Sequence, residues 1–193
     1  MPVVQAFGRP TATTSGNVVG ADNRQGGRLA GDMLRERNYQ NIAFLGGPQS
    51  STSTDDRLQG LKESLAAARL EPCAVVYGHS YCHEAGFTLM KQLLRNGGID
   101  AVFCADDVLA MGAMDACLEA GIKVPRDIGV IGFDNMAMAA WPAYNLTTIG
   151  QPAAEIIVTA VELLLSIIDK SDPTVDVRLF NCKPIERGTL RAR

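Results

Sequence analysis

The sequence predicts an α/β fold built on a doubly wound parallel sheet. Short apolar runs alternate with segments of helical spacing along most of the 193 residues. Several of those runs stop abruptly at a polar group, as 128–133 stops at Asp134. Glycines stand where helices are expected to close, at Gly97-Gly98 and Gly121. Strands alternating with helices of this length imply a parallel sheet covered on both faces, and right-handed crossovers then fix the winding.

Taken in order, Pro2 to Ala6 reads as a strand, and Asn17 to Ala21 as another, or as its continuation after a Thr/Ser loop. Asp22 or Asn23 is a candidate cap for a helix carrying Leu29, Met33 and Leu34 on one face. Asn41 to Gly46 is an apolar strand, followed by a Ser/Thr-rich loop from Pro48 to Thr54. Ser53, with Asp56 three residues on, resembles a capping box. Leu58, Leu61, Leu65 and Ala68 then keep helical spacing. Cys73 to Tyr77 is the next strand. Glu84 to Asn96 is a helix with Phe87, Met90 and Leu94 turned inward. Asp100 to Ala105 is a strand, Asp107 to Ala120 a helix, and Ile128 to Phe133 the last strand of the series. After Gln151-Pro152 come a long apolar helix, Ala153 to Ile168, a polar turn, a strand near Val175 to Phe180 and a short tail.

Hydrophobic residues make up 47% of the chain and charged residues 20%, with a net charge of −3. That supports a sizeable core and offers no basic face for gripping phosphates. The tail arginines Arg187, Arg191 and Arg193 are too few for a nucleic-acid arm. The five cysteines are odd in number and form no CxxC pair, which reads as buried free thiols in a reducing cytoplasm. No basic region followed by an apolar stretch opens the chain, so no secretory signal is expected. The most apolar stretch, Ile156 to Ile168, falls short of the ~20 residues that span a bilayer. Asn145-Leu146-Thr147 matches a glycosylation acceptor and is discounted for want of such a signal.

Function is expected past the carboxyl ends of the strands, where open α/β sheets bind ligands. Asp55 and Arg57 follow one strand, His79 and Tyr81 another, Asp106 and Asp107 a third, and Asp134 a fourth. A guanidinium, carboxylates and an aromatic ring around one mouth suit a polyhydroxylated ligand. Each also has a plainer role: Asp107 as a helix cap, Asp55 and Asp56 against a helix dipole, Arg57 in a surface ion pair, Tyr81 in the core. His79, Cys82 and His83 have ligand-like spacing but lack the further ligands that zinc requires. Asp106, Asp107 and Asp134 faintly suggest a magnesium pocket. Neither a dinucleotide glycine loop nor a nucleophile elbow is present, so no cofactor and no catalytic residue is assigned.

The order of motifs resembles the effector-binding core of the LacI/GalR family of bacterial transcription regulators. The matching runs are 18–23 (VVGADN), 41–48 (NIAFLGGP), 56–60 (DRLQG), 105–113 (ADDVLAMGA), 121–128 (GIKVPRDI), 130–135 (VIGFDN), 146–149 (LTTI) and 186–188 (ERG). The loop Gly47 to Ser53 is similar to that of family members. The resemblance implies a type I periplasmic-binding-protein-like fold in which a small effector, a sugar or related polyol, binds an interdomain cleft. It implies a complete C-terminal subdomain (21–151 and 181–193) and part of an N-terminal one (1–20 and 152–180). It further implies a cytoplasmic homodimer, no enzymatic activity, and DNA contact only through a headpiece absent from this chain. The implied ligand contacts are Arg57, Tyr81, Asp106 and Asp134, with Ser50 and Asp55 from the intervening loop and helix. Helix 153–168, short of part of its sheet, is expected to expose apolar surface covered by a partner chain or by crystal neighbours. The alternatives are a transport-type sugar-binding protein and a small magnesium-dependent α/β enzyme.

Overall fold

The computed structural model describes residues 2–10, 16–170 and 176–193, which fall into two compact units: 2–22 with 151–182, and 23–150 with 183–193.

The larger unit carries a six-stranded sheet. Its elements, numbered along the whole chain, are α1 (Asn23–Arg35), β3 (Ile42–Gly46), α2 (Thr52–Ala66), β4 (Ala74–Tyr77), α3 (His83–Asn96), β5 (Ala101–Cys104), α4 (Asp107–Glu119), β6 (Gly129–Asp134), β7 (Thr148–Gly150) and β9 (Lys183–Ile185). The strand order is β4-β3-β5-β6-β7-β9. All pairs are parallel except β7 with β9. The chain runs from β3 outward to β4, then reverses across β3 to β5 and β6. With right-handed crossovers, that reversal puts α2 on one face and α3 and α4 on the other. The switch point lies between β3 and β5, whose carboxyl ends open the crevice where such sheets take ligands. The buried strands explain their composition: β3 and β5 are covered along their whole length, and Phe44 meets Phe103 edge to face at 5.5 Å.

Glycines bring the helices together in two matched crossings. A Cβ on Gly27 would strike the Arg57 carbonyl, and one on Gly60 the Arg24 carbonyl, so α1 and α2 touch backbone to backbone. Gly86 and Gly112 do the same for α3 and α4, against the carbonyls of Leu109 and His83. The first crossing fixes the backbone of Arg57 itself.

The smaller unit holds β1 (Val4–Ala6), β2 (Asn17–Ala21) and β8 (Val177–Phe180) in a parallel sheet ordered β1-β2-β8, with α5 (Ala153–Lys170) against β1 and β2. Ile156, Ala160 and Leu163 of α5 are buried. Ile157, Val158, Val161, Leu165 and Ile168 are each more than half exposed, as the sequence led one to expect of this helix. No described helix is long and apolar enough to cross a membrane.

Several expectations need correction. Helix α2 starts at Thr52 with Ser51 as its cap, because the Ser51 Oγ reaches the Thr54 N–H; Ser53 lies inside the helix. Asp106, not Asp107, caps α4, since its extended backbone turns the carboxylate onto the Leu109 N–H at 2.7 Å. In α3 the buried set is Ala85, Gly86, Met90 and Leu93, while Phe87 and Leu94 are half-buried: the inward stripe is rotated by about one residue. Ala68 falls beyond the end of α2 and is exposed. The first strand begins at Val4 and the eighth at Val177; Val175 lies outside the described residues, as do the Thr/Ser loop at 11–15 and most of the polar turn. The sheet is not wholly parallel, because the tail returns as β9 on its edge. Cys104, Cys117 and Cys182 are buried free thiols, but Cys73 is exposed and Cys82 half-buried.

Candidate functional site

The site is built around Arg57. Residue 57 sits in the second turn of α2, where the glycine crossing and the packing of Leu58 and Leu61 fix the helix. Its guanidinium is buried, which requires partners. Nε donates to Asn23 Oδ1 at 2.8 Å, and Nη1 donates to the Ala105 carbonyl just beyond β5. The guanidinium carbon lies 3.6 Å from the centre of the Phe133 ring. Nη2 faces Asp134 Oδ1 at 3.5 Å. That separation pairs the charges but is too long for a strong hydrogen bond.

Asp134 ends β6 with φ 111°, and Asn135 follows with φ 57°. These left-handed residues turn the chain at the strand end. The Asp134 side chain keeps 23% of its surface exposed beside the almost fully covered Arg57. Asp106 is buried at the head of α4. Burial raises its carboxyl above the usual range, opposed by the Leu109 N–H and the charge of Arg57. Arg57, Asp106 and Asp134 therefore meet around the carboxyl ends of β5 and β6.

Tyr81 meets the start of α2, ahead of Arg57. Its hydroxyl shares hydrogen bonds with Thr54 Oγ1 at 2.6 Å and Ser51 Oγ at 2.9 Å. The ring lies against Gly47, where any Cβ would strike it. The other two expected contacts are placed differently. Ser50 is exposed in the loop before the Ser51 cap. Asp55 is exposed in the first turn of α2 and accepts from Gln59 at 3.4 Å, which suits a helix-dipole role.

Ser51, Thr54 and Phe133 carry no signal of a site role in the sequence, whereas Asn23 and Asp107, a cap candidate and a strand-end carboxylate by sequence, hold Arg57 and the Thr148–Met136 pair respectively. Thr54 lies one turn before Arg57, a spacing that places both on one face. Asp107 accepts from the Thr148 hydroxyl at 2.6 Å and from the Met136 N–H at 2.7 Å. Burial pushes its carboxyl up to about 6, against the pull of those two bonds. The magnesium pocket is not formed: Asp106 caps a helix, Asp107 holds Thr148 and Met136, and Asp134 faces Arg57. Among the described residues no group of three or more His, Cys, Asp or Glu side chains is placed to hold a metal.

The sequence profile of the periplasmic binding protein-like domain matches residues 32–190. The solved structure of a LacI-family transcriptional regulatory protein from Corynebacterium glutamicum superposes with a TM-score of 0.89 at 30% identity, covering 98% of this chain and 73% of that one. The chain belongs to the LacI/GalR family. A LacI-family regulator from Enterococcus faecium, solved with bound ribose, has a TM-score of 0.85 at 26% identity, with 93% and 67% coverage. Among curated relatives, the HTH-type transcriptional repressor PurR of Salmonella arizonae is 33% identical over 197 residues, which cover 98% of this chain and 57% of the repressor. The chain spans about half the length of the curated relatives it matches. These LacI-family relatives are transcriptional regulators and repressors, not enzymes. In this LacI-family core a guanidinium and two carboxylates meet at the carboxyl ends of β5 and β6, and the Tyr81 phenol bonds to the start of α2.

Proposed function

We propose that this chain senses a sugar or related polyol and forms the effector-binding part of a cytoplasmic, homodimeric LacI-type repressor. The observation that carries this reading is the long contact between Arg57 Nη2 and Asp134 Oδ1, 3.5 Å. A hydroxyl bridging the two from the side accepts from the guanidinium and donates to the carboxylate, adding two charge-assisted bonds. Asp106 supplies a further carboxylate for hydroxyls, and the Tyr81 ring an apolar face for C–H groups. The bound ribose of the Enterococcus faecium relative favours the same ligand class. Part of Arg57 is already committed to Asn23 and Ala105, so the site is largely organised before ligand arrives. The ligand acts by population shift, which it can drive only by its differential affinity for two conformations.

The test is a thermal-shift series with ribose, glucose and cellobiose on the 193-residue chain and on Asp134→Ala. The reading expects at least one sugar to raise the melting temperature of the wild-type chain and none to raise that of the folded variant. An equal response from both proteins, or none from the wild type at millimolar sugar, overturns it.

A further inference from the structure

We propose that Asp107 is a positioning residue: its buried carboxylate holds residues 134–136 in the turn that aims Asp134 at Arg57. The assignment of that pair to a ligand rests on the function proposed above; the positioning does not.

Asp107 opens α4 and is fully buried. Its two oxygens serve two different segments. Oδ2 accepts the Met136 N–H at 2.7 Å, and Oδ1 accepts the Thr148 hydroxyl at 2.6 Å from the start of β7. Gly132 of β6 leaves the space this carboxylate needs, for a Cβ there would overlap Oδ1. One side chain thus joins the head of α4, the end of β6 and the start of β7.

The joined segment is one that needs holding. Asp134 and Asn135 both have positive φ, and neither is a glycine. Such conformations are strained for residues with a Cβ and persist only when surroundings over-determine them. Here the anchors come from two sides. Asp107 fixes Met136, immediately after the strained pair. Arg187, after β9, donates Nη2 to Asn135 Oδ1 at 2.7 Å and Nη1 to the Leu146 carbonyl at 2.7 Å. The Asn135 N–H also points at Thr148 Oγ1, at 3.4 Å. Freed of these anchors, the pair relaxes toward extended backbone, which swings the Asp134 carboxylate away from the guanidinium. Asp107 itself, buried behind the turn, acts only through it.

The experiment compares Asp107→Ala, Asp107→Asn and Arg187→Met in the 193-residue chain. Asparagine keeps both bonds: its Oδ1 accepts the Met136 N–H while its Nδ2 donates to Thr148 Oγ1. Three readouts are followed: hydrogen exchange at the Met136 amide, exchange at the core Phe103 amide, and the NMR resonance of the Arg57 Nε–H. In Asp107→Ala, Met136 exchange is expected to rise about 10- to 100-fold, the range for one lost buried hydrogen bond. Phe103 is expected to change far less, and the Arg57 resonance to shift as Asp134 departs. Asp107→Asn restores all three to within about 3-fold or to the wild-type position, because the bond count is kept. If the alanine variant does not fold, Arg187→Met releases Asn135 from the other side and is expected to move the Arg57 resonance alone. The proposal is overturned if the loop loosens while the Arg57 resonance stays put, if asparagine fails to rescue, or if Phe103 and Met136 accelerate together. A wild-type chain that answers to no sugar would defeat the ligand reading and leave these resonances to decide the positioning.

Discussion

The guanidinium of Arg57 lies on the face of Phe133, 3.6 Å from the ring centre. An α2 side chain is thereby seated on the residue that precedes Asp134 in β6. The ring face attracts the cation, and the ring also shields it from water on one side. Asn23 and the Ala105 carbonyl hold two further edges. The cation is therefore fixed in direction, with its remaining edge turned toward Asp134 at 3.5 Å. The direction of the guanidinium is thus set by the protein's own contacts.

Replacing Arg57 by lysine tests that geometry. A lysine ammonium is a point charge, without the planar fork that reaches Asn23, Ala105 and Asp134 together. At least one buried acceptor is left unpaired, which costs about 1–3 kcal/mol. Arg57→Lys is expected to lower the unfolding free energy by that amount and to abolish sugar-induced stabilisation. Both are read from chemical denaturation with and without ribose or cellobiose. Wild-type stability in the variant would mean that the fork is not needed to hold the site.

The α1–α2 crossing controls the same residue from behind. Gly27 faces the Arg57 carbonyl so closely that a methyl group cannot enter without parting the helices. Gly27→Ala is expected to destabilise the chain by about 2–3 kcal/mol, in the range for overpacked cores, even though alanine favours helix. Gly97→Ala serves as contrast, since nothing surrounds that position and only its positive φ resists. Denaturant melts of both variants, with sugar response measured alongside, separate the effects: Gly27→Ala loses ligand response and Gly97→Ala keeps it.

The strands and helices were legible because they are buried in a regular way. The all-covered β3 and β5 and the caps before α2 and α4 leave their mark on residue type and spacing. The carboxyl-edge groups Arg57, Tyr81, Asp106 and Asp134 followed from strand ends, since a parallel sheet brings those ends to one side. What did not follow were choices between neighbours. Asp106 and Asp107 are equally good caps by residue type, and only the turn into α4 decides which caps and which is buried. Ser50, Ser51 and Ser53 are likewise equivalent until the helix start is known. The three-residue strands β7 and β9 carry too few residues for any period to show. Asn23 and Phe133 reach Arg57 through tertiary packing, for which local pattern has no signal.

The buried carboxyl of Asp107 makes stability depend on pH. Burial, only partly offset by Thr148, Met136 and Arg187, raises the folded-state value to about 6, with Asp106 pushing the same way. The folded state then holds a proton that the unfolded state has released between about pH 4 and pH 6. Stability from this group is complete below pH 4, declines as pH rises through 6, and is flat above. The span is at most about 3 kcal/mol, at about 1.4 kcal/mol per unit. Asp107→Asn, which cannot ionise, is expected to flatten that decline and to be more stable than wild type at pH 8. Urea midpoints at half-unit steps from pH 4 to pH 8 measure it, and parallel curves for the two proteins would place the titration elsewhere.

The thiols give a map of burial that chemistry can read. Cys82 caps α3 with its sulfur within 3.1 Å of the Ser80 hydroxyl, which with the Ala85 N–H lowers its pKa. Cys73 is exposed, but desolvation raises its pKa. In the strand core burial lifts Cys104 well above the ordinary range, and it pushes Cys117 up to about 12. Since the thiolate is the reactive form, a disulfide reagent at pH 7 is expected to modify Cys82 first and Cys73 more slowly. Cys104 and Cys117 are expected to react only after unfolding. Mass spectrometry of timed samples follows the order, and early modification of Cys104 would contradict the packing of β5.

Helix α5 carries a run of uncovered apolar residues. Ile157, Val158, Val161, Leu165 and Ile168 recur at spacings of one, three, four and three residues, which gathers them along one side of the helix. Patches of this kind mark surfaces that proteins do not normally leave to water. The opposite stripe, Ile156, Ala160 and Leu163, packs inward and holds α5 on its sheet. Changing the outer stripe is therefore expected to alter surface behaviour without unfolding the helix. The double variant Val161→Lys with Leu165→Lys is expected to bind less of a dye that fluoresces on apolar surfaces and to remain soluble at higher concentration. Helix content by circular dichroism is expected to stay within error, because lysine propagates helix as well as leucine does and better than valine. Ala160→Lys, aimed at the inner stripe, is expected to lose helix signal instead. If the outer variant lost helix and the inner one kept it, the two faces of α5 would have to be exchanged.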